Sequence, residues 1–214
     1  MKTWIKFCGT TSLEDALAAI DAGADALGFI FAPSKRRVTM EQAREILRGI
    51  PDRVERIGVF LNESAEDIRL HLTELNLSGV QLHGDKSAGD LASSLGQERR
   101  RNLRIIKSIV VRDDFPAAWK SLEAGEDMVN AWLLDSGAGS GRTFDWQRVR
   151  TQLEDRKARF IIAGGLNPEN VGEAMKVFTP WGVDVVSGIE REPGRKDPEK
   201  MRAFVAAVRK AEQL

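Results

Sequence analysis

Short apolar runs rich in β-formers alternate with helical patterns along this whole chain, and few architectures accommodate that rhythm. The runs that read as strands are WIKFC (4–8), ALGFIF (26–31), RIGVF (56–60), GVQLH (79–83), LRIIKSI (103–109), NAWLLD (130–135), RFIIAG (159–164) and VDVVSG (183–188). Helix starts are legible between them. Ser12 with Asp15, Thr39 with Gln42 and Ser64 with Asp67 have capping-box spacing. NPEN (167–170) and DPEK (197–200) place an Asn or Asp N-cap before a proline at the first helical position. Met201, Phe204, Val205 and Val208 recur at helical spacing and mark the core face of a last helix.

Strands that alternate with helices pair in parallel. Eight strands in 214 residues leave about 27 residues per strand-and-helix unit, the economical end of a (β/α)8 barrel. An open dinucleotide fold wants GxGxxG after its first strand, whereas CGTTSL carries one glycine there. Glycine clusters instead follow the seventh and eighth strands, where barrels of this class place phosphate sites. The expected fold is therefore α/β: a TIM barrel with a closed, parallel, eight-stranded sheet, forming one domain over residues 1–214.

Lys plus Arg and Asp plus Glu both number 32, a balance that argues against a general nucleic-acid or membrane-surface binder. One cysteine excludes an intrachain disulfide and fits a reducing compartment. The opening MKTWIKFCGTTSLEDA lacks the apolar stretch of a secretory signal, and no apolar run approaches membrane-spanning length. The expected location is the cytoplasm. Two histidines, His71 and His83, with a single cysteine make a zinc cage implausible.

Strand side chains alternate, so residues two apart share a face. In a barrel the outward face meets helices and is apolar, which turns Ile5 and Phe7 outward and Lys6 and Cys8 inward. The same logic points Gln81 and His83 inward, with Lys107 on strand five, Asp135 on strand six and Asp184 on strand eight. Two lysines and two aspartates inside a barrel must pair, because an isolated buried charge is costly. Neutralising one another is a sufficient role for Lys6, Lys107 and Asp184. Cys8 and Asp135 differ because both end their strands on the side where barrel active sites are built.

A lone buried cysteine is more often a small hydrophobe than a reagent. The strand-end position moves Cys8 toward chemistry, and Lys6 on the same face would favour its thiolate. Asp135 would supply the complementary acid, since two groups of different intrinsic pKa can divide base and acid work. Arg37 ends the basic loop APSKRR. Such runs are usually solvated charge, but a guanidinium fork also suits a carboxylate. For His83, position alone ranks a satisfied core histidine first.

SGAGSGRTFDW (136–146) holds Gly137, Gly139 and Gly141 before Asp145, a helix N-cap candidate; AGGLNPENV (163–171) and VSGIEREPGRKD (186–197) follow strands seven and eight. Glycines that expose backbone N–H groups beside a helix start can cradle an anion, although each also serves a tight turn.

Taken in order, KFCGTTSLEDA, GADALGFIFAPSKRRV, GVFLN, VQLHGD, LLDS, GRTFDW, AGGLNPENV and VDVVSGIE with PGRKD resemble the phosphoribosylanthranilate isomerase family of tryptophan biosynthesis over the whole chain. The resemblance implies a (β/α)8 barrel without metal or organic cofactor, with Cys8 as general base and Asp135 as general acid. It puts Arg37 at the anthranilate carboxylate and the phosphate on backbone groups near Gly164, Gly165, Ser187 and Gly188. Gln81, His83 and Asp184 complete the substrate-binding candidates. The implied partner is a phosphorylated small molecule, with no nucleic acid and no membrane, and the implied assembly is a monomer or homodimer. Three positions depart from the family: Phe7 replaces its isoleucine, Arg142 its lysine, and Val186 the first of a serine pair. The related Amadori isomerase of histidine biosynthesis resembles a barrel with aspartate where Cys8 stands, so the cysteine tells against it. A catalytically silent phosphosugar-binding barrel is disfavoured by the presence of both Cys8 and Asp135.

Overall fold

In the computed structural model eight parallel strands close into a barrel in chain order: β1 (Trp4–Cys8), β2 (Ala26–Ile30), β3 (Glu55–Phe60), β4 (Gly79–Leu82), β5 (Arg104–Val110), β6 (Ala131–Asp135), β7 (Phe160–Ile162) and β8 (Gly182–Val185). The structure describes residues 2–84, 88–96, 101–115, 119, 128–137, 143–153 and 158–213. Among these, seven helices intervene or follow: α1 (Leu13–Ala22), α2 (Met40–Arg48), α3 (Ala65–Glu74), α4 (Ala88–Ser93), α5 (Trp146–Gln152), α6 (Val171–Phe178) and α7 (Pro198–Ala211). The sheet closes where β1 runs beside β8, from Trp4 opposite Gly182 to Phe7 opposite Val185. Beyond β8 come a short 3₁₀ turn (Ser187–Ile189) and a small antiparallel hairpin, β9 (Glu190–Glu192) and β10 (Arg195–Lys196). The sequence reading had no counterpart for that hairpin, because its strands are short and charged.

The caps form largely where the side chains demand. Thr39 and Gln42, and Ser64 and Asp67, make reciprocal capping boxes, and Asp145 and Asp197 accept N–H groups from the first turns of α5 and α7. Two starts differ from expectation. Ser12 accepts the amide of Asp15, but the Asp15 carboxylate turns instead to the Lys196 backbone N–H at 3.2 Å. Asn167 accepts from the Glu169 and Asn170 amides, yet these belong to a turn, and the regular helix begins only at Val171. The Asn170 side chain reaches back to the Gly165 carbonyl at 2.9 Å, so the NPEN segment ties the β7 loop to its helix.

Two apolar clusters follow from alternation. Ile5, Phe7, Val80, Leu82, Val183 and Val185 belong to the large cluster between sheet and helices, where Phe7 meets Phe204 edge-to-face at 6.0 Å. Trp4, Ile57, Ile106, Leu133 and Ile161 fill the barrel itself. Lys107 does not point inward as the sequence reading placed it. Ile106 is an inside residue, so its neighbour Lys107 shares the outer face with Ile105 and Ile109. It lies opposite Leu82 and Trp132, also of the outer cluster, and its ammonium donates to the Gly84 carbonyl at 2.7 Å. Both faces of β5 are buried and both carry isoleucine, Ile106 inside and Ile105 and Ile109 outside, which leaves the phase of a parallel strand undetermined by pattern alone.

Candidate active site

The C-terminal strand ends enclose a cavity of about 230 Å³. Cys8, Gln81, His83, Asp135, Gly164, Gly165, Asp184, Val186 and Ser187 all line it. Ile30, Ala32, Pro33, Val59 and Leu61 make its β2–β3 side apolar, while the β7 and β8 loops supply glycines and backbone amides. Eight of the ten sequence-derived site residues thus converge. Gly188 is not among the lining residues; it packs so closely on the Leu166 carbonyl that a Cβ there would collide with it.

Arg37 does not join them either. A turn in which the Arg37 N–H donates to the Ser34 carbonyl at 3.2 Å leaves its side chain exposed. Arg36 lines the cavity instead. Its stem crosses Gly9, whose φ of +73° and missing Cβ leave room: a Cβ would lie 2.9 Å from Arg36 Cδ. Arg36 Nε and Nη2 donate to the two carboxylate oxygens of Glu190 at 2.8 and 2.6 Å. In adjacent arginines, only the geometry of the turn says which one enters. Of the three family departures, Val186 lines the cavity, Phe7 packs outward, and Arg142, like Gly139 and Gly141, lies outside the described residues.

Beneath Cys8 the Lys6 ammonium donates to Asp184 Oδ1 at 2.8 Å. Burial opposes the Lys6 charge, but Asp184 and Cys8 outweigh it and raise the lysine above its ordinary pKa. Lys6 does favour the Cys8 thiolate, as expected, but it does not prevail. Burial pushes the Cys8 thiol up, and the opposing pull of Lys6, itself countered by Asp184, does not reverse the shift. Burial also raises the Asp135 carboxyl above its ordinary value, against a hydrogen bond from the Gly137 amide at 3.1 Å.

His83 is held neutral, its pKa lowered to about 4 by burial and by Lys6. Gln81 Nε2 donates to His83 Nε2 at 2.7 Å, so Gln81 Oε1 is left buried without a hydrogen-bond partner among the described residues. Among the described residues no three His, Cys, Asp or Glu side chains cluster to hold a metal ion. Sequence reasoning missed Glu190 and Lys196. Both are buried under the Cys8 strand end, and the only signal for them was the charge of the VSGIEREPGRKD segment.

This arrangement places a thiol, a carboxyl of raised pKa, a polar amide and an amide-rich loop pair around one cavity, enough for proton transfers on a small anion. The family model described as N-(5′-phosphoribosyl)anthranilate (PRA) isomerase matches residues 5–207. The N-(5′-phosphoribosyl)anthranilate isomerase of Listeria monocytogenes serotype 4b is 38% identical over 216 aligned residues, covering 97% of this chain and 99% of that one. The crystal structure of phosphoribosyl anthranilate isomerase from Thermotoga maritima is similar with a TM-score of 0.83 and 37% identity, over 97% and 99% of the two chains. A crystal structure of a phosphoribosyl anthranilate isomerase in complex with reduced 1-(o-carboxyphenylamino)-1-deoxyribulose 5-phosphate has a TM-score of 0.79 and 36% identity, over 97% and 99%.

Proposed function

The chain belongs to the N-(5′-phosphoribosyl)anthranilate isomerase family, and from that premise we propose that Cys8 and Asp135 divide the proton transfers of its reaction. The reaction is the Amadori rearrangement of N-(5-phosphoribosyl)anthranilate to 1-(2-carboxyphenylamino)-1-deoxyribulose 5-phosphate in tryptophan biosynthesis. The observation that carries the assignment is that Cys8 and Asp135, on strands far apart in sequence, line the same cavity.

Asp135, whose carboxyl burial raises above its ordinary pKa, gives its proton to the furanose ring oxygen as the bond from that oxygen to C1′ breaks. The nitrogen lone pair forms the C1′ iminium. The iminium acidifies the C2′ hydrogen, which the Cys8 thiolate removes, and the electrons of that bond move through C1′ to neutralise nitrogen. The resulting enolamine takes a proton at C1′ and loses one from the C2′ hydroxyl to become the ketone, so the sum is an isomerisation.

Gln81 Oε1, buried without a partner among the described residues, suits a ribose hydroxyl. The apolar β2–β3 side suits the anthranilate ring, with Arg36 Nη1 toward its carboxylate. The phosphate docks on amides of the Gly164–Gly165 and Ser187 loops. The same reading makes the protein one barrel domain over residues 1–214, acting in the cytoplasm as a monomer or homodimer. No helix among the described residues is long and apolar enough to cross a membrane.

The test is turnover of freshly made substrate, followed by loss of anthranilate fluorescence, in Cys8→Ala and Asp135→Asn. Each folded variant should lose on the order of 10² to 10⁴ in rate. Wild-type turnover in either removes that residue from the mechanism.

A further inference from the structure

The pairing of β1 with β8 ends at Phe7 opposite Val185. One residue further on, the strands part: β1 turns at Gly9, and β8 enters the 3₁₀ turn at Ser187. Two backbone carbonyls beyond the ladder, that of Cys8 buried and that of Val186 half-buried, need donors, because an unpaired carbonyl away from water is costly. A single side chain serves both. Lys196 Nζ donates to the Cys8 carbonyl at 2.6 Å and to the Val186 carbonyl at 3.2 Å, and its third partner is Glu190 Oε1 at 3.2 Å.

We propose that Lys196 is the positioning residue for Cys8, fastening the end of β1 to the end of β8 and so fixing where the thiol stands in the cavity. The inference rests on the reading of Cys8 as the base and extends it to a residue far away in sequence.

Four features support it. Lys196 is buried, with 2% of its surface exposed, and an ammonium that deep is held only for its bonds. Its place is fixed from both ends, since its own backbone N–H donates to Asp15 Oδ2 at 3.2 Å. Glu190, which balances its charge, also takes the Arg36 fork and the Gly194 N–H, so the hairpin, the β2 loop and the Cys8 strand end form one cluster. Finally, its charge acts on the thiol. The charged groups around Cys8 are Lys6 on its own strand, Asp184 on β8, Arg36 on the β2 loop and Lys196 on the hairpin. Lys6 is directly paired with Asp184, and Arg36 with Glu190. Lys196 is paired with Glu190 too, but it alone of the four bonds the Cys8 backbone, and it draws the thiol toward ionisation.

Placement controls rate more than affinity, because small displacements of a reacting group cost attack geometry. Lys196→Met keeps the length of the stem and removes the donors and charge. We expect folded Lys196→Met to lose roughly 10- to 100-fold in kcat, with KM within about threefold. Cys8 is the only cysteine, so alkylation by iodoacetamide reads it directly. In Lys196→Met the rise of alkylation rate with pH should move to higher pH, and Lys196→Arg should restore the profile. Wild-type kcat in folded Lys196→Met overturns the proposal. So does lost kcat with an unmoved alkylation profile, which would reduce Lys196 to a structural anchor. If Lys196→Met does not fold, Lys196→Gln is judged by the same two readouts, and no change in either overturns the proposal. The reading of Cys8 as base fails separately, through normal turnover in Cys8→Ala, and the alkylation profile still decides whether Lys196 governs the thiol.

Discussion

Lys6 Nζ stands 2.8 Å from Asp184 Oδ1 beneath the cavity, the two side chains 0% and 6% exposed. A charge pair this deep is expensive to assemble and more expensive to break, since removing one partner leaves the other without compensation. Burial is the main reason that a lysine two residues from a cysteine fails to turn it into a ready thiolate, and the paired aspartate adds to it by opposing the lysine's pull.

Asp184→Asn should therefore lower the free energy of unfolding by about 3–5 kcal/mol, measured by urea denaturation. Lys6→Met combined with Asp184→Leu should be more stable than Asp184→Asn, because two apolar groups need no mutual compensation. A single variant as stable as wild type would show that the pair is not held charged.

The pH dependence of kcat/KM should report both catalytic groups in the free enzyme. Burial raises Asp135 and, against Lys6 and Lys196, Cys8 as well. The productive form has Asp135 protonated and Cys8 ionised. Cys8 is the weaker acid, so this form is a minor species whose share is constant between the two pKa values and falls outside them. The acidic limb then follows Asp135, above its ordinary value, and the alkaline limb follows Cys8, also above its ordinary value. In Asp135→Asn the bell should give way to a weak rate that climbs with pH until Cys8 is ionised. A bell that survives Asp135→Asn places the acid elsewhere.

His83 should make the fold sensitive to mild acid. Its pKa is about 4 in the folded protein, against an ordinary 6.5, so the unfolded chain binds the proton first. Stability from this group is full above pH 6.5 and declines as pH falls toward 4, by about 3 kcal/mol over the window. His83→Gln should flatten that part of the stability profile between pH 6.5 and 4. An unchanged profile would mean that other groups set the acid limit.

Val186→Ser would supply a hydroxyl at a position that lines the cavity beside the proposed phosphate amides. A hydrogen bond to a charged group contributes roughly 1.5–3 kcal/mol at best. With water competing for the same oxygen, we expect about a tenfold lower inhibition constant for a phosphorylated product analogue. The dephosphorylated analogue should bind as before. Gly165→Asp, at a φ of +68°, should weaken the phosphorylated analogue selectively, at a folding cost of about 1–2 kcal/mol for the left-handed backbone. Equal effects on both analogues would move the phosphate site away from these loops.

Alternation and capping are local, and the sequence alone carried them. Eight strands, their order in the chain, the inward turn of Cys8, Gln81, Asp135 and Asp184, and the N-caps Asp145 and Asp197 all follow from spacing and residue type. Each such inference depends on neighbours a few residues away, where backbone geometry leaves two or three choices.

What the tertiary structure decided depends on pairs that sequence distance hides. The phase of β5 turns Lys107 to the outer face, and pattern could not choose it because both sides of that strand are buried and both carry isoleucine. The Ser34–Arg37 turn brings in Arg36 and leaves Arg37 exposed. Burial outweighs Lys6 at the Cys8 thiol, and desolvation is a property of the closed barrel that no short segment possesses. Lys196 meets the Cys8 carbonyl across nearly the whole chain, because closing the barrel brings the end of β1 beside the end of β8, where the ladder runs out and a buried carbonyl needs a donor.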